Sequence, residues 1–388
     1  MFLIFQSIVI YGFIIAIMMF FNSVVYRNQY PHGLNGINRY VNKSPSLFNL
    51  YYAIPIIIYS LFASIRYRVG VDCESYKEIF YELIKYGDII RQQEIEIMFR
   101  FLVDVTHVFT NKHYLLLFII ALLQLVLYYS SFKKESYVLV FFPLALFLSG
   151  EYWSWMNGMR QIIAACFFVS TIPFIINKKW HYFILIAFVA SLMHRSALTM
   201  IPIGIVAYFL RKNILSKYLQ WVILLLCFIL MNKFNPMLDS IIAFSGDLLG
   251  YNDSTIDGYL ELDQTSLSFG VRTILLYSAY IIVVAFSDKL KRFYSSEKFN
   301  ICYNLFFISI CLTLLFYNNF TMIRILYYLT IFIPAVLSYA LFYLYYKRGS
   351  NLPYMIIIIL LLLVRTLYNF YSVLSNLQIE SVLYKFDI

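Results

Sequence analysis

Charge is scarce in this chain. Asp, Glu, Lys and Arg together supply 13% of its 388 residues, against 62% hydrophobic residues and a mean hydropathy of +0.75. A soluble domain is about 45–50% apolar, so that class is excluded and no stretch is left over for one. Cysteine is scarce as well. Of five, Cys166, Cys227, Cys302 and Cys311 lie within apolar runs and only Cys73 in a polar stretch, which argues against a disulfide framework or thiolate metal site and for packing. The five histidines, His32, His107, His113, His181 and His194, lack metal-ligand spacing. A glycine-rich phosphate loop, a Gly-x-Ser-x-Gly elbow and an Asp-x-Asp pair are all missing, which removes the usual soluble routes to nucleotide binding and acyl transfer. No linker, low-complexity tract or repeat divides the chain. The net charge of +10 is not gathered into a basic block interleaved with stacking aromatics, so no nucleic-acid partner is expected.

What is present is a succession of apolar runs. Stretches of roughly 17–25 apolar residues span a bilayer as helices, and such runs recur over residues 2–21, 47–65, 114–131, 137–149, 159–176, 180–193, 197–210, 219–231, 271–286, 301–316, 323–345 and 354–371. The expectation is an all-α, polytopic integral membrane protein of about twelve transmembrane helices, forming a single domain over residues 1–388. Residues 2–21 have neither a basic start nor a cleavage site and read as a retained helix. Residues 193–197 could break a longer helix.

The connections carrying Arg27/Arg39/Lys43, Lys133/Lys134, Lys178/Lys179, Arg211/Lys212/Lys217, Lys289/Lys291/Arg292/Lys298 and Lys347/Arg348 alternate with the rest, and the positive-inside rule puts them in the cytoplasm. The other side receives two longer loops, about 66–113 and 232–270. In the first, Tyr76, Phe80, Leu83 and Ile84 share one helical face, and residues 97–110 suit an interfacial or re-entrant helix. The second carries Asp239, Asp247, Asp253, Asp257, Glu261 and Asp263 and could cover the outer face.

The stretch from Glu151 to Ser196 organises the outer side. Its two apolar runs turn at Asn177-Lys178-Lys179, so Asn157-Gly158-Met159-Arg160-Gln161 and His194-Arg195-Ser196 return to one level. Outer helix ends also bear Arg66, Arg68, Arg272 and Arg324, while Arg365 lies inside the last span. An arginine within a span costs at least about 2.5–3.5 kcal/mol near the bilayer centre, which favours a shared polar cavity. Arginine's planar fork suits two phosphate oxygens at once. Alternatively each arginine snorkels, or pairs with Glu74, Glu94 or Glu151. Asp72, between cations that would keep it ionised, could orient or deprotonate a hydroxyl, or simply pair with Arg68. Glu96, where a helix re-enters apolar surroundings, could be a base with a raised pKa or an N-terminal helix charge. His194 has a pKa range suited to proton transfer, or is a hydrogen-bonded structural residue. Tyr67, Tyr76, Trp153 and Trp155 could stack on sugars.

These residues resemble the EpsG/Wzy-like family of bacterial polysaccharide polymerases. The likeness is carried by Arg66-Tyr67-Arg68-Val69-Gly70-Val71-Asp72 with Tyr76, by Glu96 before Phe99 and Leu102, by Asn157-Gly158-Met159-Arg160-Gln161, and by Ser191-Leu192-Met193-His194-Arg195-Ser196-Ala197. It departs at Arg195, where such proteins often have Lys, and at Ile97-Met98, where they often have Pro-Gly. The resemblance implies a GT-C-like, metal- and cofactor-independent membrane glycosyltransferase in the bacterial inner membrane, its site facing the periplasm or cell exterior. It would transfer a growing undecaprenyl-diphosphate-linked glycan onto the non-reducing end of a lipid-linked repeat unit. The implied partners are that lipid-linked oligosaccharide and membrane lipids, with a flippase and a chain-length regulator as protein candidates. One base among Asp72, Glu96 and His194 would activate the acceptor. Arg66, Arg68, Tyr76, Asn157, Arg160, Gln161, Arg195, Ser196, Arg272 and Arg324 would bind diphosphate or glycan. An O-antigen ligase-like transferase and a flippase of the same lipid-linked unit are the competing readings. A transporter would spread charge over several depths, with repeat symmetry.

Overall fold

The computed structural model describes residues 2–31, 49–70, 72–87, 95–235, 270–317, 319–375 and 382–387, and these are helical throughout apart from turns and one isolated bridge between Arg66 and Phe386. The acidic positions 239–263 of the second long loop, and Glu94 of the first, lie outside the described residues.

Among the described residues, five helical runs are long and apolar enough to cross a membrane: Phe2–Gln29, Tyr114–Leu148, Met159–Ile176, Glu297–Leu315 and Leu352–Val373. Two bent pairs, Val271–Ala285 with Ser287–Tyr294 and Met322–Thr330 with Ile333–Tyr346, raise the number to seven. The remaining apolar stretches form shorter helices, Leu50–Ser64, Trp180–Ser191, Arg195–Leu210 and Lys217–Ile229. The 35-residue run Tyr114–Leu148 folds back at the 3-10 turn Lys133–Glu135. Tyr128 stacks on Phe142 with centroids 4.6 Å apart, a contact that a straight helix would stretch to about 21 Å at 1.5 Å per residue.

The helices run alternately between two ends. At one end the basic turns gather. Lys298 Nζ donates to Ser131 O (2.6 Å) and to Glu135, Asn300 Nδ2 to Arg211 O (2.9 Å), Gln29 Nε2 to Lys133 O (3.2 Å), and Tyr52 OH to Lys133 O (3.3 Å). At the other end, Tyr384 N donates to Ser7 Oγ (2.8 Å) and Tyr384 OH to Phe62 O (2.7 Å), while Met98 N donates to Leu192 O (2.9 Å). Between the ends, polar side chains join helices. Asn22 Nδ2 donates to Tyr129 OH and Leu139 O, and Gln124 Nε2 to Trp155 O and Met159 O. In lipid such bonds are worth about 0.6–2 kcal/mol each and, with close packing, hold helices together where burial from water cannot.

Two amphipathic helices lie at the second end. Cys73–Tyr86 buries Cys73, Tyr76, Ile79, Phe80 and Leu83, and closes on Gly87 in the left-handed conformation (φ 71°). Ile97–Phe109 buries Phe99, Val103 and Thr106 and leaves Ile97, Phe101, Val108 and Phe109 exposed; at 13 residues it is too short to span. The expected break at residues 193–197 is present. Trp180–Ser191 stops, and a 3-10 segment, Arg195–Thr199, leads into Met200–Leu210.

The segment 382–387 is threaded into this end. Tyr67 N donates to Lys385 O (2.8 Å) and Asp387 N to Ile65 O (2.9 Å), while Asp387 Oδ2 sits 3.3 Å from His113 Nε2.

Candidate functional site

Gly70 sets the position of Asp72. At φ 87°, favourable only without a side chain, it presses on the backbone of the short helix Glu151–Asn157, and a Cβ would lie 2.7 Å from Met156 O. This contact brings Asp72 beside Asn157, whose Oδ1 accepts from the Asp72 N–H at 2.8 Å. Asp72 Oδ2 then faces Arg324 Nη2 at 3.5 Å, both side chains being 30% exposed. Burial raises the Asp72 carboxyl above its ordinary 3.8, against the opposing pull of Arg324 and Arg160. The two cations favour the ionised form, as expected, but desolvation is the larger of the opposing effects on its pKa. Its partner is Arg324 rather than Arg68, which lies 3.9 Å from Glu74 instead.

The second half of the cluster is built on Glu96. Its Oε2 accepts from Arg160 Nη1 at 2.6 Å and its Oε1 from the Arg195 N–H at 3.3 Å, so one carboxylate ties the start of the Ile97–Phe109 helix to both polar clusters of the 151–196 stretch. Arg160 also lies over the Phe99 ring at 5.0 Å, an added cation–π attraction. Arg160 interacts with Tyr76 as well, a residue packed against Phe99 and 5% exposed.

Ser196 connects the rest. Its Oγ receives Gln161 Nε2 (3.1 Å) and lies 2.7 Å from His194 Nδ1 and 2.9 Å from Tyr328 OH. Gln161 Nε2 also donates to Arg324 O (2.9 Å). Because His194 Nδ1 accepts the Ser196 N–H (3.3 Å), the neutral ring carries its proton on Nε2 and presents a donor. Burial lowers the His194 pKa to about 4, with Arg160 and Arg324 pushing the same way and Glu96 opposing. The ring is therefore neutral at physiological pH.

Asp72, Tyr76, Glu96, Asn157, Arg160, Gln161, His194, Ser196 and Arg324 thus come together in one network, with Arg195 exposed at its edge. Three expected members stand elsewhere, Arg68 being the one already described beside Glu74. Arg66 is fully buried and donates to the carbonyls of Val69 (2.8 Å), Ala63 and Met156 (3.2 Å), so it holds the turn rather than facing a cavity. Arg272 donates to Asn369 Oδ1 (2.9 Å), away from the cluster. Trp155 and Trp153 are buried too, which removes them as sugar platforms. Phe99 and Tyr328 enter the site without having been singled out as contacts; for Tyr328 the sequence offers no signal beyond its place four residues after Arg324. Among the described residues no group of three or more His, Cys, Asp or Glu side chains converges as a metal cage.

A helical membrane protein with a network of carboxylates and arginines gathered at one end of its bundle is the class these features define. Residues 49–386 match the EpsG family, a Wzy-like polysaccharide polymerase family, and the chain belongs to it. No curated protein and no solved structure matches it.

Proposed function

We propose that the protein is a polysaccharide repeat-unit polymerase of GT-C-like architecture with about twelve passes. It transfers a growing undecaprenyl-diphosphate-linked glycan to the non-reducing end of a lipid-linked repeat unit at the outer face of the bacterial inner membrane. Family membership supports the polymerase class. The observation that supports the mechanism is the opposition of Asp72 and Arg324 at 3.5 Å, a carboxylate beside a guanidinium fork, as a base next to a phosphate-binding group would require.

In this mechanism the Asp72 carboxylate takes the proton of the acceptor hydroxyl, and the hydroxyl oxygen bonds to the anomeric carbon of the donor chain. The bond from that carbon to the diphosphate oxygen breaks, and the electron pair leaves on the diphosphate. Arg324 and Arg195 stabilise the developing charge. Asp72 is preferred among the three candidates because Glu96 already accepts through both oxygens and His194 presents a donor. Glu96 then fixes Arg160, and Tyr76, Gln161 and Ser196 line the acceptor side.

The test is incubation of the purified protein with a defined lipid-linked repeat unit. Polymer ladders from wild type and single units from Asp72→Asn and Arg324→Gln are expected; ladders from both variants would sink the reading. Orientation is tested in a cysteine-free background. Probes at Asp72→Cys and Lys178→Cys should label from opposite sides, and labelling from one side overturns the assignment of faces.

A further inference from the structure

Arg365 lies inside a span, and the site above does not use it. Its helix, Leu352–Ser375, contains the least buried of the five long candidate spans. The guanidinium nevertheless turns inward, with Nε and Nη1 buried and lacking hydrogen-bond partners. The chain is shaped around it. Gly150 has φ 89°, and a Cβ there would lie 2.7 Å from Arg365 Nη1 and 2.9 Å from Nη2. An arginine that merely snorkelled to the surface would not need a backbone turn cut to its outline.

The neighbouring carboxyl, Glu151, attracts it but forms no ion pair or hydrogen bond with its Nε or Nη1. Glu151 bonds to Thr330, its Oε2 is buried without a partner, and burial pushes its pKa up to about 8, so at neutral pH it is largely protonated. One helical turn from Arg365, Asn369 Oδ1 receives Arg272 Nη1 at 2.9 Å. Arg272 is exposed, and its charge opposes that of Arg365. Two like charges, open buried donors and a protonated acid make a setting that an anion completes.

The structure assigns to Arg365, Arg272, Asn369 and Glu151 a second anion site, which takes the phosphate or diphosphate headgroup of a membrane lipid. Arg365 supplies the buried fork, Glu151 an additional O–H donor, and Arg272 the outer charge. A lipid source follows from the lipid-facing helix that carries the site. The assignment rests on the polymerase reading for its substrate: transfer between two lipid-linked units presents two diphosphates, and the cluster around Arg324 takes one.

The test is equilibrium binding of undecaprenyl diphosphate to the full-length protein in nanodiscs, with inorganic diphosphate as the lipid-free probe. Wild type should bind two equivalents. Arg365→Met should weaken one of them at least tenfold, as should Arg272→Gln, an exposed change that spares the fold. Arg324→Gln should weaken the other. Two unaltered equivalents in Arg272→Gln overturn the proposal, as does a site that binds inorganic diphosphate but not the lipid. If Arg324→Gln changes nothing while Arg272→Gln loses one equivalent, this site stands and the diphosphate assignment at Arg324 fails.

Discussion

Arg160 Nη1 lies 2.6 Å from Glu96 Oε2, and the carboxylate's other oxygen takes the backbone N–H of Arg195. A single acid thereby holds together three pieces of chain that the sequence separates. With side chains 20% and 10% exposed, the pair lies between a surface salt bridge and a buried one. Arg160→Gln and Glu96→Gln should each destabilise by about 1–3 kcal/mol, and a double-mutant cycle should return a coupling of about 0.5–3 kcal/mol. Denaturation of the four proteins in nanodiscs checks this; additivity would mean the two side chains do not share an interaction.

Asp72 combines a functional advantage with a stability cost. Its folded-state pKa is raised, so the folded chain holds the proton more tightly than the unfolded one, and this contribution to stability falls as pH rises through the folded value. Asp72→Asn should therefore leave the protein as stable or more stable at neutral pH. It should also lower the polymerisation rate by about 10²–10⁴ and remove the acidic limb of the rate profile. Loss of stability with retained rate would point to a purely structural carboxylate.

His194 makes the opposite pH prediction. Its pKa is lowered to about 4, so the unfolded chain binds a proton that the folded chain rejects. Stability should decline as pH falls from about 6.5 toward about 4, and His194→Asn should flatten that decline. Polymerisation should show no inflection between about pH 6 and 8 that this substitution abolishes. Such an inflection would return His194 to the list of bases.

Gly70→Ala tests how the site is assembled. The new Cβ would meet Met156 O at 2.7 Å in a left-handed conformation, at a cost of about 1–3 kcal/mol. Because the clash lies two residues from Asp72, activity should fall further than stability explains. Thermal denaturation and ladder length, measured on the same preparation, separate the two effects.

Periodicity and basic turns were readable because they depend on local spacing: the amphipathic face of Cys73–Tyr86 and the break after Ser191 follow from residues a few positions apart. Asn157, Arg160, Gln161, His194 and Ser196 shared a level for the same reason, since two helices joined by a tight turn return to it. Partner choice was not legible. Arg66 and Arg68 stand two residues apart in a turn with no helical register, so nothing in the sequence says that one is sealed against carbonyls while the other reaches Glu74. Glu96 finds Arg160, and Asp72 finds Arg324, only because helices distant in sequence pack at one end. The tail residues 382–387 bore no signal at all: their bonds to Ile65, Tyr67 and His113 reach back across nearly the whole chain.

That last connection has a consequence for biogenesis. Until residues 384–387 have been synthesised, the backbone edge at Ile65 and Tyr67 keeps an open acceptor and donor, and the turn bearing Arg66 and Asp72 lacks its outer brace. The spans can insert one after another during translation, but the polar end acquires its final shape only after the last helix is in place. An inserted chain that stops short of residue 384 would therefore lack the brace beside Arg66 and Asp72.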